Sequence, residues 1–138
     1  MKSLRILAAS IVLLGAAEHP ANVQDACIAG AQHTIDAVDR VVRDGDPVDT
    51  RVLGYAAFST LLLHDDGTHA SRFLEREISA QLPDGRFPWT TGQSDVPDAN
   101  AIDFAMQDWG VILLRYRSVL PTSTRQDVEQ SADARSRR

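Results

Sequence analysis

The chain has 138 residues, of which 43% are hydrophobic and 24% are charged, values typical of one soluble globular domain. The formal net charge is -5, and the only cationic cluster lies at the end of the chain, in Arg135, Arg137 and Arg138. This distribution argues against a nucleic-acid binder, which needs a basic surface. Cys27 is the single cysteine, so no internal disulfide can form.

Residues 1–17 have the three parts of a secretory signal peptide. Lys2 and Arg5 give a positive start, and residues 6–17 (ILAASIVLLGAA) carry no charge and end in small residues. A spanning helix needs about 20 apolar residues, so no stable membrane span is expected. We predict that residues 1–17 are removed and that the chain is secreted or periplasmic. An ordinary buried first helix and an uncleaved anchor are the alternatives.

Two amphipathic helices are predicted after this leader. Asn22 can cap the first helix, along which apolar residues recur at steps of three and four, namely Ile28, Ala31, Ile35, Val38 and Val42. Gly45 and Pro47 end this helix. The second helix is predicted from about Thr50 to His64, with Asp49 as its cap. It is apolar on more than one side, so we expect neighbours to cover two of its faces.

Two further helices and a polar tail complete the prediction. The third helix is expected from Thr68, capped by its hydroxyl, to Gln81, and the fourth from about Asp98 to Leu120. Residues 121–138 form a polar tail, which we expect to be frayed or disordered because Val128 is its only sizeable apolar residue. The prediction is therefore an all-α domain over residues 22–120, built from antiparallel helical hairpins.

Residues 86–103 (RFPWTTGQSDVPDANAID) concentrate the side chains best suited to a ligand. A tryptophan face supplies apolar area for a sugar ring, while carboxylates and amides bind its hydroxyls. The candidate binding residues are Trp89, Asp95, Asp98, Asn100 and Asp103. Two carboxyl groups at a suitable separation could also hydrolyse a glycoside, but spacing along the chain does not give that separation, so no catalytic residue is assigned. The alternative is that Asp98 or Asn100 caps the fourth helix and Trp89 covers its start.

Two clusters of potential metal ligands lie near helix ends: His64, Asp65, Asp66 and His69, and Asp44, Asp46 and Asp49. The first has suitable donor groups, but Asp-Asp-Gly is also a common turn. The second lacks the longer acidic pattern and terminal Glu of a calcium loop. The sequence contains no Gly-rich phosphate loop, metalloprotease His-Glu pair or Gly-x-Ser-x-Gly elbow. No metal or cofactor is therefore predicted.

The helical hairpins, the motifs DGRFPWT and PDANAIDF, and the segment WGVILLRYRSVLP together resemble the early part of six-hairpin glycosidase-like proteins. The resemblance covers roughly Val52 to Gln126. Those proteins form an α/α toroid of about a dozen helices, in which loops at one end line a carbohydrate site. The resemblance implies that Trp89, Asp98, Asn100 and Asp103 lie near a substrate cleft.

Four predicted helices cannot close a ring of six hairpins, so the resemblance implies an incomplete α/α toroid, from a truncated relative or a fragment. The expected function is a secreted carbohydrate-active-like protein that processes glycosides or binds glycans, with weak or no activity on its own; any activity would be that of a glycoside hydrolase. The alternative is a secreted helical protein-interaction module without enzymatic activity. Uncovered inner helix faces would also favour self-association.

Overall fold

A computed structural model of the chain describes residues 22–95 and 101–136. These residues are all-helical, as the sequence predicts, and form five helices: α1 (Val23–Asp44), α2 (Thr50–His64), α3 (Gly67–Ile78), α4 (Ala101–Arg115) and α5 (Thr122–Ser136). The predicted signal peptide lies outside the described residues. Within the described ranges, none of the helices combines the length and the apolar character needed to cross a membrane.

Helices α1 and α2 begin and end where their local chemistry predicts. The Asn22 side chain accepts a hydrogen bond from the backbone N–H of Asp25 at 2.9 Å and so caps α1. Gly45 ends α1 in the left-handed conformation, at φ 75°, which a residue without a Cβ adopts at little cost. Asp49 caps α2 by accepting from the backbone N–H of Arg51 at 3.0 Å.

Helix α3 differs from its prediction at both ends. Its cap is Asp66, not Thr68, because the helix starts at Gly67 and the Asp66 carboxylate accepts from the backbone N–H of His69 at 2.8 Å. It ends at Ile78, not at Gln81. Helix α4 likewise ends at Arg115, before the predicted Leu120. In both cases a tighter turn follows the helix: the N–H of Gln81 donates to Ile78 O and the N–H of Val119 donates to Tyr116 O, each at 2.9 Å.

Helix α2 lies at the centre of the packing and contacts α1, α3 and α4. Its residues Leu53, Ala56, Ala57 and Leu61 are all essentially without exposed surface. The two alanines let the neighbouring helices approach closely, because interaxial distance depends on side-chain size at the contact. The prediction that α2 is covered on more than one face is therefore confirmed. Phe73, Phe87 and Trp109 supply the large aromatic part of the same core.

Helices α2 and α4 lie side by side and run in the same direction. Arg51 lies over the ring of Phe104, Gly54 lies against Asp108, and the ring of Phe58 meets that of Tyr116, just after α4. These contacts advance along both helices in the same order, which defines the parallel arrangement. Helix α3 packs against α2, and also contacts α1 and α5.

The C-terminal tail forms helix α5, whereas the sequence leads us to expect a frayed or disordered end. Val128 is wholly buried, and Thr124 and Ser131, at steps of four and three from it, are buried on the same face. The Thr124 hydroxyl donates to Glu75 Oε1 at 3.0 Å, which ties α5 to α3. The expectation counted only large apolar side chains, but one valine flanked by small hydroxyl residues is enough to dock this helix.

Candidate functional site

The structure describes three of the five predicted binding residues, namely Trp89, Asp95 and Asp103. Trp89 is half-buried and packs against Phe104, while Asp95 is exposed in the preceding loop. Asp103 is exposed in the first turn of α4. Asp98 and Asn100 lie outside the described residues. Trp89 is therefore in contact with α4, whereas Asp95 is exposed to solvent.

The loop that carries Trp89 is fixed to the start of α2 by backbone and side-chain hydrogen bonds. The backbone N–H of Thr50 donates to Trp89 O at 3.0 Å, and that of Thr91 donates to Val48 O at 2.9 Å. The Val48 N–H donates to Thr91 Oγ1 at 3.1 Å, and the Thr50 hydroxyl donates to Pro88 O at 2.7 Å. Both threonines are buried. Trp89 is thus presented by a loop whose backbone is held against a rigid helix.

Trp89, Phe104 and Arg51 form a compact aromatic and cationic cluster. The two ring centroids are 5.9 Å apart with a tilt of 46°, and the Arg51 guanidinium carbon lies 4.4 Å from the Trp89 centroid. This is the geometry of a cation–π contact. Asp49 holds the guanidinium, and their side-chain hydrogen bond lowers the pKa of Asp49 and raises that of Arg51. Because Arg51 occupies one face of Trp89, the more open aromatic surface is Phe104, which is 40% exposed.

Asp108 lies one helical turn beyond Phe104 on the same side of α4. It faces Gly54 of α2: a Cβ built at Gly54 would lie only 2.9 Å from Asp108 Oδ2 and 3.3 Å from Asp108 Cβ. The absence of a side chain at Gly54 therefore lets α2 and α4 approach without displacing the Asp108 side chain. Burial raises the pKa of Asp108. We define the α2–α4 seam as Arg51, Gly54, Trp89, Phe104 and Asp108.

Glu77 of α3 lies behind the seam and is wholly buried. The Trp109 indole N–H donates to Glu77 Oε2 at 2.8 Å, whereas Glu77 Oε1 makes no hydrogen bond with any described residue. Burial, reinforced by the nearby charge of Asp108 and opposed by the Trp109 hydrogen bond, raises the pKa of Glu77 to about 8. The carboxyl is therefore mostly protonated and uncharged at neutral pH.

Four residues of this region were not predicted as site residues from the sequence, namely Arg51, Glu77, Phe104 and Asp108. For Glu77 a signal was present, because it lies three and four residues after Leu74 and Phe73 and so falls on the buried face of α3. Gly54, inside an otherwise apolar helix, was a second signal of close packing. Arg51 and Asp108 carry no such signal, because the packing of α2 on α4 brings them together.

The residues of the predicted metal-ligand cluster make separate contacts. His64 Nε2 is 2.7 Å from Gln32 Oε1, and His69 Nε2 is 3.2 Å from Asp39 Oδ1. Asp66 caps α3, which is the turn role that the sequence favours. Within residues 22–95 and 101–136, no three carboxylate, imidazole or thiol groups come together as a metal site requires.

A second candidate surface is an apolar groove between α1 and α2. It has a volume of about 170 Å³, and its lining residues, which define the α1–α2 groove, are Cys27, Ile28, Ala31, Tyr55, Phe58, Ser59, Leu62 and Leu63. Ile28, Tyr55 and Leu62 are large apolar side chains that remain exposed, Leu62 by 58%. Exposed apolar side chains grouped in this way are typical of interaction surfaces.

Comparisons with models of protein families, with curated proteins and with solved structures find no match to this chain. Its function is therefore inferred from the chemistry of the two surfaces. The α2–α4 seam combines aromatic rings with charged groups, whereas the α1–α2 groove is lined almost entirely by apolar side chains.

Proposed function

We propose that this chain is a secreted, carbohydrate-binding helical module, an incomplete relative of the α/α toroids of six-hairpin glycosidase-like proteins, and that the α2–α4 seam binds the sugar. The observation that carries the proposal is the grouping of Phe104 and Trp89 beside Arg51, one helical turn from Asp108. Aromatic rings supply apolar area for a sugar ring, while guanidinium and carboxyl groups exchange hydrogen bonds with its hydroxyls.

The seam offers these groups in a partly preorganised form. The hydrogen bonds from Val48 and Thr50 hold the backbone of the Trp89 loop before any ligand arrives. Arg51 is already oriented by Asp49. Groups that are held in place in the free protein lose less conformational entropy on binding, so a small surface of this kind can still bind a ligand with useful affinity.

The geometry favours binding over hydrolysis. Glycoside hydrolysis by two carboxyl groups needs both of them beside the scissile bond. Glu77 is wholly buried and bonded to Trp109, so it does not reach a sugar in the seam. Asp103 is five positions from Asp108, and residues five apart on a helix point to different sides. We therefore assign the seam a binding role, with Asp108 as a hydrogen-bonding partner for hydroxyl groups.

The proposal is tested on an array of neutral and acidic oligosaccharides, followed by calorimetric titration of the best ligand. We expect Phe104→Ala to weaken that ligand about tenfold, the equivalent of about 1.4 kcal/mol of lost ring contact. Leu114→Ala is the matched control, because Leu114 is also on α4 and is 82% exposed but lies outside the seam. Trp89→Ala should weaken binding too. Failure of every oligosaccharide to bind, or equal affinity of Phe104→Ala and wild type, would refute the proposal.

The second candidate function is a secreted helical interaction module without enzymatic activity. The α1–α2 groove favours it, because Ile28, Tyr55 and Leu62 expose apolar surface at one place. Sedimentation velocity distinguishes this function from the first. Defined oligomers that Leu62→Asp dissociates and Leu114→Asp leaves intact, in a chain that binds no glycan, would favour the interaction module.

A further inference from the structure

Two carboxyl groups of the region around the seam converge on one point without a cation beside them. Asp108 Oδ2 lies 2.9 Å, and Glu77 Oε1 lies 3.4 Å, from the position that a Cβ of Gly54 would occupy. The ion pairs among the described residues involve neither of these carboxyl groups. Because two neighbouring carboxylates repel each other, a positive charge at this point would stabilise both.

Glu77 leaves this pair of carboxyl groups unsatisfied on the side of the core. Its Oε2 accepts from the Trp109 indole N–H, but its Oε1 has no hydrogen-bond partner among the described residues, although the side chain is wholly buried. Buried polar atoms in native proteins nearly always have a partner. Burial raises the pKa of both carboxyl groups, and the charge of Asp108 adds to the shift at Glu77. A cation beside Asp108 would favour the ionised form of both groups.

The cation of the seam itself, Arg51, is engaged elsewhere. Its guanidinium donates to the Asp49 carboxylate through Nε and Nη2, and its central carbon lies 4.4 Å from the Trp89 ring centroid. A guanidinium that two such partners hold stays at their end of the seam. Gly54, against which Asp108 lies, is nearly one turn further along α2. A positive charge beside Asp108 would therefore have to come from the ligand.

The side chains around Asp108 fit an ammonium group better than a metal ion. Phe104, one helical turn before Asp108, is 40% exposed. An aromatic face attracts an ammonium group and also packs against the apolar face of a sugar ring. Within residues 22–95 and 101–136, no third carboxyl, imidazole or thiol group joins the pair, although a calcium ion takes six or more oxygen ligands. An ammonium group can instead share its three donors between one carboxylate and water.

We propose that the α2–α4 seam prefers basic sugars, and that the ammonium group of an amino sugar pairs with Asp108 while the sugar ring packs on Phe104. This inference rests on the proposed carbohydrate binding by the seam and names the class of sugar. Glu77 does not contact the ligand, but it lies behind Asp108 and adds negative charge when a bound cation favours its ionised form. N-acetylation of the sugar removes the ion pair and keeps the ring contact. Uronic acids are disfavoured, because their carboxylate would face that of Asp108.

The test compares two ligands that differ in this charge. The full chain is titrated calorimetrically with a tetrasaccharide of β-1,4-linked glucosamine and with its fully N-acetylated form, at about pH 6, where an amine carries its proton. We expect the amine form to bind about tenfold more tightly, because charge-assisted hydrogen bonds are stronger than neutral ones. Asp108→Asn keeps polar groups but not the charge, so it should bring the two affinities together. Glu129→Gln removes one charge from the surface of α5 and should keep the preference.

Equal affinity of wild type for the two ligands, or a preference that survives in Asp108→Asn, would overturn the inference and leave carbohydrate binding by the seam intact. Failure of both ligands to bind would refute the proposed function as well. Calcium chloride is titrated alone, and tight uptake that Asp108→Asn abolishes would assign the carboxyl groups to a metal instead. If Asp108→Asn does not fold, wild type is measured at about 0.05 M and about 0.5 M sodium chloride, where screening should reduce the preference. A preference that salt does not change would contradict an ion pair.

Discussion

Glu77 places an ionisable group in the middle of a core formed by α2, α3 and α4. Its charged form is disfavoured there, because no cation accompanies it among the described residues and only the Trp109 N–H stabilises it. The pKa of about 8 means that the folded state holds a proton which the unfolded state releases near pH 4.5. The stability of the chain is therefore linked to pH through the Glu77 side chain.

Glu77→Gln is predicted to remove this dependence. Because the folded-state pKa is raised, the protonated carboxyl contributes its full stability below about pH 4.5, and that contribution is lost as the pH rises toward 8. Wild type should lose on the order of 1 kcal/mol of unfolding free energy per pH unit over this window. The glutamine amide stays neutral and its oxygen can still accept from Trp109, so the variant should become the more stable protein at alkaline pH. Urea unfolding at about pH 5 and about pH 9 measures the difference.

Glu129→Gln is the control for this prediction. Glu129 forms a surface ion pair with Arg117, with the nitrogen and oxygen 2.8 Å apart, and exposed pairs of this kind contribute less than about 1 kcal/mol. The unfolding free energy of Glu129→Gln should therefore change with pH as that of wild type does. If Glu77→Gln and wild type lost the same stability between the two pH values, Glu77 would not be protonated in the folded protein.

At the scale of elements, the start of α3 is set by one close contact. A Cβ at Gly67 would lie 2.0 Å from the backbone oxygen of Val119 and 3.2 Å from Leu120 Cα, in the connection between α4 and α5. Backbone atoms cannot relieve such an overlap by a change of rotamer, as the end of a side chain can. The absence of a side chain at Gly67 therefore allows α3 to approach that connection. The backbone conformation of Gly67 is helical, so any residue could adopt it.

Gly67→Ala is predicted to destabilise the fold by about 3 kcal/mol, since relief of the overlap must move the chain around Val119. Gly110→Ala is the matched substitution: Gly110 is an exposed glycine within α4, and a Cβ there meets no atom within 4 Å. That variant should gain about 0.5–1 kcal/mol from the higher helix propensity of alanine. Urea unfolding of both variants measures the contrast, and equal stabilities would contradict the role given to Gly67.

The elements that the sequence predicts well are those whose ends depend on neighbouring residues. Asn22 and Asp49 cap α1 and α2 as expected, because an N-cap hydrogen bond spans only two or three residues. The sequence does not fix the start of α3, because Asp66 and Thr68 are both good caps and lie only two residues apart. Helix α5 was missed because its docking relies on Glu75, about fifty residues earlier in the chain.

Of the five seam residues, the sequence predicts only Trp89 as a binding residue. This prediction follows from the side chain itself, because a tryptophan face supplies apolar area for a sugar ring. Arg51 and Asp108 are separated in sequence by fifty-seven residues, and only the parallel packing of α2 on α4 brings each of them to the seam. Periodicity predicts which face of a helix is buried, but it does not predict which helix covers that face.

At the scale of the whole molecule, burial is unevenly distributed along the chain. Helix α2 contacts three other helices, whereas the first half of α1 is exposed. Amide hydrogen exchange should therefore be slowest in α2, around Leu53 and Leu61, and should approach the rate of global unfolding there. The amides of residues 26–30, in the exposed first half of α1, should exchange much faster. Fast exchange throughout α2 would contradict its central position.

The hydrogen bonds between residues 48–50 and 88–91 bring together the two ends of one stretch of chain. Helices α2 and α3, with the turn between them and the Trp89 loop, thus start and finish at neighbouring points. A piece of polypeptide with adjacent ends can be inserted into another chain, or copied in tandem, without redirecting the chain on either side. The stretch from Val48 to Thr91 therefore has the geometry of a transferable unit.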